Sequence, residues 1–279
     1  MPSPHQIPPT IHSEVVAYYQ KGNEASRLQR GIGQLEFLRT QEIILRYLPT
    51  PPVDVLDVGG GAGIYSLWLA RLGYQVHLVD LTPLHIEQAQ AASRLQPSAP
   101  IASFTVGDAR HLDRGDASAD VVLFLGPLYH LTDAQSRLDA LREARRALKP
   151  GGVAFIAAIS KFASTLDGFQ DGSFADPDFG EIMKQDLANG QHRNPHPDRD
   201  YFTTAYFHHP TALKAEIEQA GLHVQKLLAV EGPGWLLRDF ETQWQQPNQR
   251  ESLLEIIRRV EEEPTLIGMS CHLMVVATK

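Results

Sequence analysis

From Val55 to Gly63 the chain reads Val-Leu-Asp-Val-Gly-Gly-Gly-Ala-Gly, an apolar run that meets four glycines within five residues. Glycine tolerates positive φ and lets a ligand lie against bare backbone. A helix starting just after such a turn offers unpaired N–H groups to an anionic or polar group. Gly59, Gly60, Gly61 and Gly63 are more than a tight strand-to-helix turn needs, so the loop is expected to hold a ligand. A dinucleotide calls for the spacing G-x-G-x-x-G. Counted from Gly59 and Gly61 the third position is Ile64, and from Gly61 and Gly63 it is Ser66. Neither register fits.

Further candidates follow in order. The run Gln75–Val79 ends on Asp80, 17 residues after Gly63. A carboxylate there can accept two hydrogen bonds from vicinal hydroxyls, or cap the helix that follows Thr82-Pro83. Gly107-Asp108-Ala109 stands after Phe104–Val106, and Gly126-Pro127-Leu128-Tyr129-His130 follows Asp120–Leu125. An imidazole titrates near neutrality, so His130 is a candidate general base, or else a residue that orders its loop; Tyr129 is similarly placed. His208 and His209 precede Pro210 and read equally as packing or as catalytic residues. His192 and His196 are four apart, but Pro195 and Pro197 forbid the helix that would align them on one metal, so no metal site is expected.

The sequence from Asp57 through Gly59, Gly61 and Gly63 resembles the first motif of the class I S-adenosylmethionine-dependent methyltransferases, small-molecule type, with Asp80, Asp108 and the Leu125 loop in the family's order. The resemblance covers residues 53–160 closely. It implies a Rossmann-like, doubly wound, seven-stranded and mostly parallel sheet of order 3-2-1-4-5-7-6. It also implies that the glycine loop holds the methionine end of S-adenosylmethionine, Asp80 the ribose, and Asp108 with Ala109 the adenine, with Leu81 a further cofactor contact. Leu125 and its loop would lie beside the transferred methyl, and Tyr18 or Arg27 would close on the methionine carboxylate. The product would be S-adenosylhomocysteine. Methylases of nucleobase amino groups carry Asn/Asp-Pro-Pro-Tyr/Phe after the fourth strand; Gly126-Pro127-Leu128-Tyr129 departs from that pattern and speaks against such acceptors.

These residues need a scaffold. Apolar runs at Val53–Val58, Gln75–Val79, Phe104–Val106, Asp120–Leu125 and Val153–Ile159 alternate with helical stretches near Gly63–Leu72, Leu84–Leu95 and Ala134–Leu148. Such alternation predicts α/β architecture with a parallel sheet. A helix at Pro210–Ala220, a strand at His223–Val230, a helix at Gln249–Val260 and a strand at Met269–Ala277 complete the core. Residues 1–10 read as a disordered tail without a signal sequence, 11–52 as a helical lid, and 53–279 as the core. Segment 161–210 interrupts the rhythm with eight of the chain's 22 aromatics (11 Phe, 8 Tyr and 3 Trp in all): Phe162, Phe169, Phe174, Phe179, Tyr201, Phe202, Tyr206 and Phe207. It is expected to be an ordered cap that walls an acceptor pocket together with the N-terminal helices.

A net charge of −8 without a concentrated basic patch disfavours nucleic acid, and no apolar run is long enough to span a membrane. The lone Cys271 fits a reducing, cytoplasmic setting. The expected partner is a small-molecule methyl acceptor, and the expected state a monomer or homodimer. A tRNA or protein methyltransferase and a non-catalytic cofactor-binding module are the alternatives.

Overall fold

The computed structural model describes Val15, Tyr18, Tyr19, residues 27–196, Arg199 and residues 201–279. The 1–10 tail, and most of the chain between 11 and 26, lie outside the described residues. Elements are numbered from Gly33 onward.

Helix α1 (Gly33–Tyr47) is followed by β1 (Asp54–Val58), α2 (Ile64–Arg71), β2 (Gln75–Asp80), α3 (Pro83–Arg94) and β3 (Ser103–Val106). Then come β4 (Ala119–Phe124), the single turn α4 (Pro127–His130), α5 (Ala134–Ala147) and β5 (Leu148–Ile159). The inserted segment contributes α6 (Ala163–Asp171), α7 (Pro177–Asn189), β6 (Gln191–His192) and β7 (Ala205–Tyr206). After it, α8 (Pro210–Gln219), β8 (His223–Ala229), α9 (Phe240–Trp244), α10 (Pro247–Val260) and β9 (His272–Thr278) close the chain. The seven-stranded sheet has the order β3-β2-β1-β4-β5-β9-β8. β6 and β7 form a separate two-stranded ribbon, so the sheet has the expected 3-2-1-4-5-7-6 topology. Strands β1 to β5 are parallel, while β9 runs against both β5 and β8.

The sequence pattern explains the layers. β1 and β4 are buried along nearly their whole length because helices cover both faces of a parallel sheet. Val55, Val121, Phe155 and Val276 pack with Ile43 and Ile44 of α1 and Leu69 of α2. Leu56, Val122, Ile156 and Val275 face the other way, onto Leu141 of α5 and Leu213 and Ile217 of α8. Helix α1 is locked in place by Arg39, fully buried, which donates to the Val230 carbonyl (3.2 Å) and pairs with Glu42 and Glu261. Arg258 of α10 reaches the same Glu42 at 2.6 Å.

Two strand starts differ from expectation by three residues or more. β5 begins at Leu148 rather than Val153, because the backbone after α5 is already extended enough to pair Leu148 with Ala119. β9 begins at His272 because Ile267–Met269 forms a 3₁₀ turn. The short α9 carried too few periodic positions to be read.

The centre of the insertion is polar. Ser164 Oγ donates to Asp186 Oδ2 (2.5 Å), which also meets His192 Nδ1 at 2.8 Å, and all three residues are buried. His192 stacks on Phe207 with centroids 4.6 Å apart.

Candidate active site

A cavity opens over the C-terminal ends of the parallel strands, the place where ligands bind in doubly wound sheets. It has three compartments, set by strand order. Asp80, Leu81, Thr82 and His85 line it beyond β2, with Gly107, Asp108 and Ala109 beyond β3. Gly59, Gly60, Gly61 and Ala62 line the middle, faced by Leu125, Gly126, Pro127, Tyr129 and His130. At the far side lie Ala157, Val230, His272 and Met274 from β5, β8 and β9, roofed by Arg27, Glu36, Thr40 and Tyr65.

The glycine loop shows why these positions lack side chains. Gly59 has φ +71°, and a Cβ there would sit 2.6 Å from two Pro127 ring carbons. A Cβ on Gly60 would lie 2.7 Å from the Asp57 carboxylate. Gly61 has φ +56° and open space above it, so its backbone is accessible to a ligand. Gly63 (φ +83°) precedes the first residue of α2, and a Cβ there would lie 3.1 Å from Ala89 Cβ, so its absence lets the loop settle against α3. Gly63 does not line the cavity; the family's third glycine acts here through packing.

Two acids brace the loop. Asp57, buried, accepts from Ser66 Oγ at 2.6 Å. Burial raises its pKa to about 6, with the Asp80 charge adding to the rise and the Ser66 bond opposing it. Asp80 accepts from the N–H of Gly61 (2.9 Å) and of Thr82 (2.8 Å), and meets His85 Nδ1 at 3.1 Å. Asp108 accepts from Arg110 through its backbone N–H (2.9 Å) and its guanidinium (2.6 Å). The cradle fits an adenosine bearing an extended tail: bare backbone at Gly61, the Asp80 and Asp108 carboxylates on its β2–β3 side, and a buried His85 Nε2 that has no partner among the described residues.

Tyr129 and His130, the loop candidates, do line the cavity. His130 Nε2 lies 2.7 Å from the Tyr19 hydroxyl, whose ring stands edge-on to His85 at 5.3 Å. Burial lowers the His130 pKa to about 4, against the pull of the Thr204 backbone and Asp80, so the ring is neutral at physiological pH. Tyr18, expected at the cofactor tail, instead packs against Tyr19 and Phe202, and Tyr19 takes the cavity position. Arg27 is at the cavity edge and pairs with Glu36 through Nη2–Oε1 at 2.9 Å.

His208 and His209 are corrected. His208 is buried away from the cavity, its Nε2 2.8 Å from Glu216 and its backbone joined to Ile159 and Lys161 at the end of β5. His209 caps α8, with Nδ1 accepting from the Thr211 N–H at 3.3 Å. The run into a Pro-initiated helix holds both in place. The insertion is corrected as well: among the described residues, none from 161 to 210 lines this cavity. Phe169 pairs with Phe174 at the surface, Tyr201 packs on Phe179, and Tyr206 lies under the Arg137 guanidinium. Phe202 reaches toward the site from behind, 5.9 Å from the His130 ring. His192 and His196 serve different carboxylates, Asp186 and Asp178.

Sequence reasoning missed Glu36, Thr40, Tyr65, Val230, His272 and Met274. The available signal was a polar residue at the sheet's ligand-facing end: Glu231 just after β8 and His272 at the start of an otherwise apolar β9. His272 Nδ1 lies 2.6 Å from Glu231 Oε1 and 3.7 Å from Glu36 Oε2. Two carboxylates and an imidazole are ligand types that metals use, but a 2.6 Å separation is a hydrogen bond with no room for an ion, and Arg27 already occupies Glu36.

Residues 56–156 match the methyltransferase domain family. The chain is 31% identical over 156 residues to the ubiquinone/menaquinone biosynthesis C-methyltransferase of Acidiphilium cryptum, covering 54% of this chain and 61% of that one. It is 31% identical over 183 residues to the ubiquinone biosynthesis O-methyltransferase of Methylobacterium nodulans, covering 64% and 63%. The chain thus spans about three fifths of the length of these curated relatives. A crystal structure of an S-adenosylmethionine-dependent methyltransferase from Methanosarcina mazei superposes with a TM-score of 0.58 at 20% identity, over 85% of this chain and 96% of that one. Fold and glycine-loop site together define a Rossmann-like nucleotide-binding α/β protein. With the match over residues 56–156, the chain carries a methyltransferase domain on the Rossmann-like fold seen in S-adenosylmethionine-dependent methyltransferases.

Proposed function

We propose that the protein transfers a methyl group from S-adenosylmethionine to a small molecule bound in the far compartment of the same cavity. One observation carries the reading: the bare Gly61 backbone, with Asp80 and Asp108 to one side, shares its cavity with a compartment walled by Tyr65, Ala157, Val230 and Met274. The cofactor supplies an activated methyl on a sulfonium. The protein's part is to bind, orient and exclude water, since the displacement needs its two reactants in line.

Asp80 is placed to hold the ribose hydroxyls, and Leu81, Asp108 and Ala109 to bracket the adenine opposite Leu125. The glycine loop takes the methionine end, with Arg27 at the edge for its carboxylate. His130 is engaged by Tyr19 and, with a pKa of about 4, is a weak proton acceptor, so its part is to hold Tyr19 over the cavity. Tyr129 stands beside it as an acceptor-facing wall.

The relatives methylate carbon and oxygen in ubiquinone synthesis, which supports an acceptor of small, partly apolar kind. The net charge of −8 and the roofed cavity count against RNA. Among the described residues no helix is long and apolar enough to cross a membrane.

The test is a co-crystal with S-adenosylhomocysteine, joined to a turnover assay against phenolic and enolic metabolites. Ligand on Gly61 and Asp80 together with methylated product supports the reading. Ligand without turnover on any acceptor points to a non-catalytic cofactor-binding module.

A further inference from the structure

We infer that His272 is an acceptor-binding residue, donating a hydrogen bond to an ionised hydroxyl of a flat, apolar acceptor such as a phenolate or enolate. The inference rests on the methyl-transfer reading above and names the substrate class for its far compartment.

The placement comes from the sheet. The cofactor residues sit on β3, β2, β1 and β4, whereas His272 begins β9, two strands past β4. Neighbouring strands are ~4.8 Å apart, which sets His272 on the order of 10 Å beyond the β4 loop, on the side away from the ribose acid. That is the reach of an acceptor ring.

The imidazole is held by a built support. Its Nδ1–H donates to Glu231 Oε1 (2.6 Å), and its own backbone N–H donates to Glu231 Oε2 (2.9 Å). Ser270 Oγ donates to the same Oε2 at 2.7 Å while accepting from the N–H groups of Glu231 and Gly232 at 3.0 and 3.1 Å. Glu231 and Ser270 are both buried. This reciprocal clip between the end of β8 and the start of β9 fixes the ring plane, and with Nδ1 committed, Nε2 lies on the opposite side of the ring. A core histidine needs no such orientation, and this one lines the cavity.

Its charge state follows from its neighbours. Burial works against the proton, but the Glu36 and Glu231 carboxylates hold the His272 pKa well above the usual imidazole range. That environment favours the protonated ring, in which both nitrogens donate. A cationic donor selects an anionic oxygen, and an ionised hydroxyl already has the free lone pair that methyl transfer needs. In a conjugated ring the same charge also enriches the adjacent carbon. Around it, Ala157, Val230 and Met274 offer apolar surface, and a methionine thioether suits an aromatic ring.

The test uses 4-nitrocatechol, whose phenolate absorbs in the visible, titrated into the S-adenosylhomocysteine-saturated protein at a pH where the free probe is mostly protonated. The bound probe should show the phenolate spectrum, and its dimethyl ether should bind at least about tenfold more weakly, the scale of one charge-assisted bond. His272→Gln should lose the phenolate spectrum and about tenfold in probe affinity, while calorimetric affinity for S-adenosylhomocysteine stays within about twofold. Absence of probe binding or of the phenolate spectrum, equal binding of the ether, or an unchanged probe response in His272→Gln each overturns the inference. So does a parallel loss of S-adenosylhomocysteine affinity in the variant. The ether comparison uses the native chain, so it stands even if the variant folds poorly. Failure of the native chain to bind S-adenosylhomocysteine would instead remove the methyl-transfer reading itself.

Discussion

Asp80 carries three hydrogen bonds in the cradle and still faces the cavity, so its carboxylate both orders the loop and is offered to the ligand. Replacing it with alanine should weaken S-adenosylhomocysteine binding by roughly 1–3 kcal/mol, the range for charge-assisted bonds, with an unchanged far-UV spectrum. Unaltered calorimetric affinity would remove the ribose role. The glycines separate by mechanism. Gly59→Ala drives a Cβ to 2.6 Å from the Pro127 ring and should lower the melting temperature markedly. Gly61→Ala meets no atom within 4 Å and bears only left-handed strain, about 1 kcal/mol, so its larger effect should be on ligand affinity. The reverse ranking would mean that the loop is not a ligand cradle. His130 gives a pH signature. Its folded pKa, about 4, lies below the unfolded 6.5, so the stability it contributes is complete above pH 6.5 and is lost as pH falls toward 4. The stability gap between the native chain and His130→Gln should shrink over that window in thermal melts; a gap that widens on acidification would contradict a buried neutral ring.

At the scale of elements, α1 depends on one buried guanidinium. Arg39 ties it to the Val230 carbonyl and to Glu261, so Arg39→Ala leaves a buried carboxylate half-paired. Breaking a buried pair costs about 3–5 kcal/mol, and the variant should unfold at clearly lower denaturant with an unaltered slope. A midpoint within error of the native one would show that α1 docks through its apolar face alone. The elements that build the glycine-loop end of the cavity were legible because their signals are local: four glycines behind an apolar run, an acid at the end of β2, and a period that switches between strand and helix. The far compartment was not legible, since Glu36, Glu231 and His272 come from three distant segments and meet only through the position of β9 beside β5. His208 and His209 misled because two adjacent histidines ahead of a proline look alike whether they cap a helix or face a ligand. The aromatics of 161–210 misled similarly: they signalled an ordered core, and that core is the insertion's own, built around Asp186 and His192.

The described chain is an acidic α/β protein in which one cavity runs across the sheet, with the glycine loop, Asp80 and Asp108 at one end and a charged, half-apolar compartment at the other. The glycine spacing does not fit the dinucleotide pattern, and the proposed acceptor compartment lies past β4 in the strand order. Both features bear on ligand choice. The measurement that tests them most directly is isothermal titration of the native chain with S-adenosylhomocysteine and, separately, with NAD. Saturable binding of S-adenosylhomocysteine at one site per chain, weakened in Asp80→Ala, together with no heat from NAD, is the predicted result. Binding of NAD with none of S-adenosylhomocysteine would contradict the account at its centre.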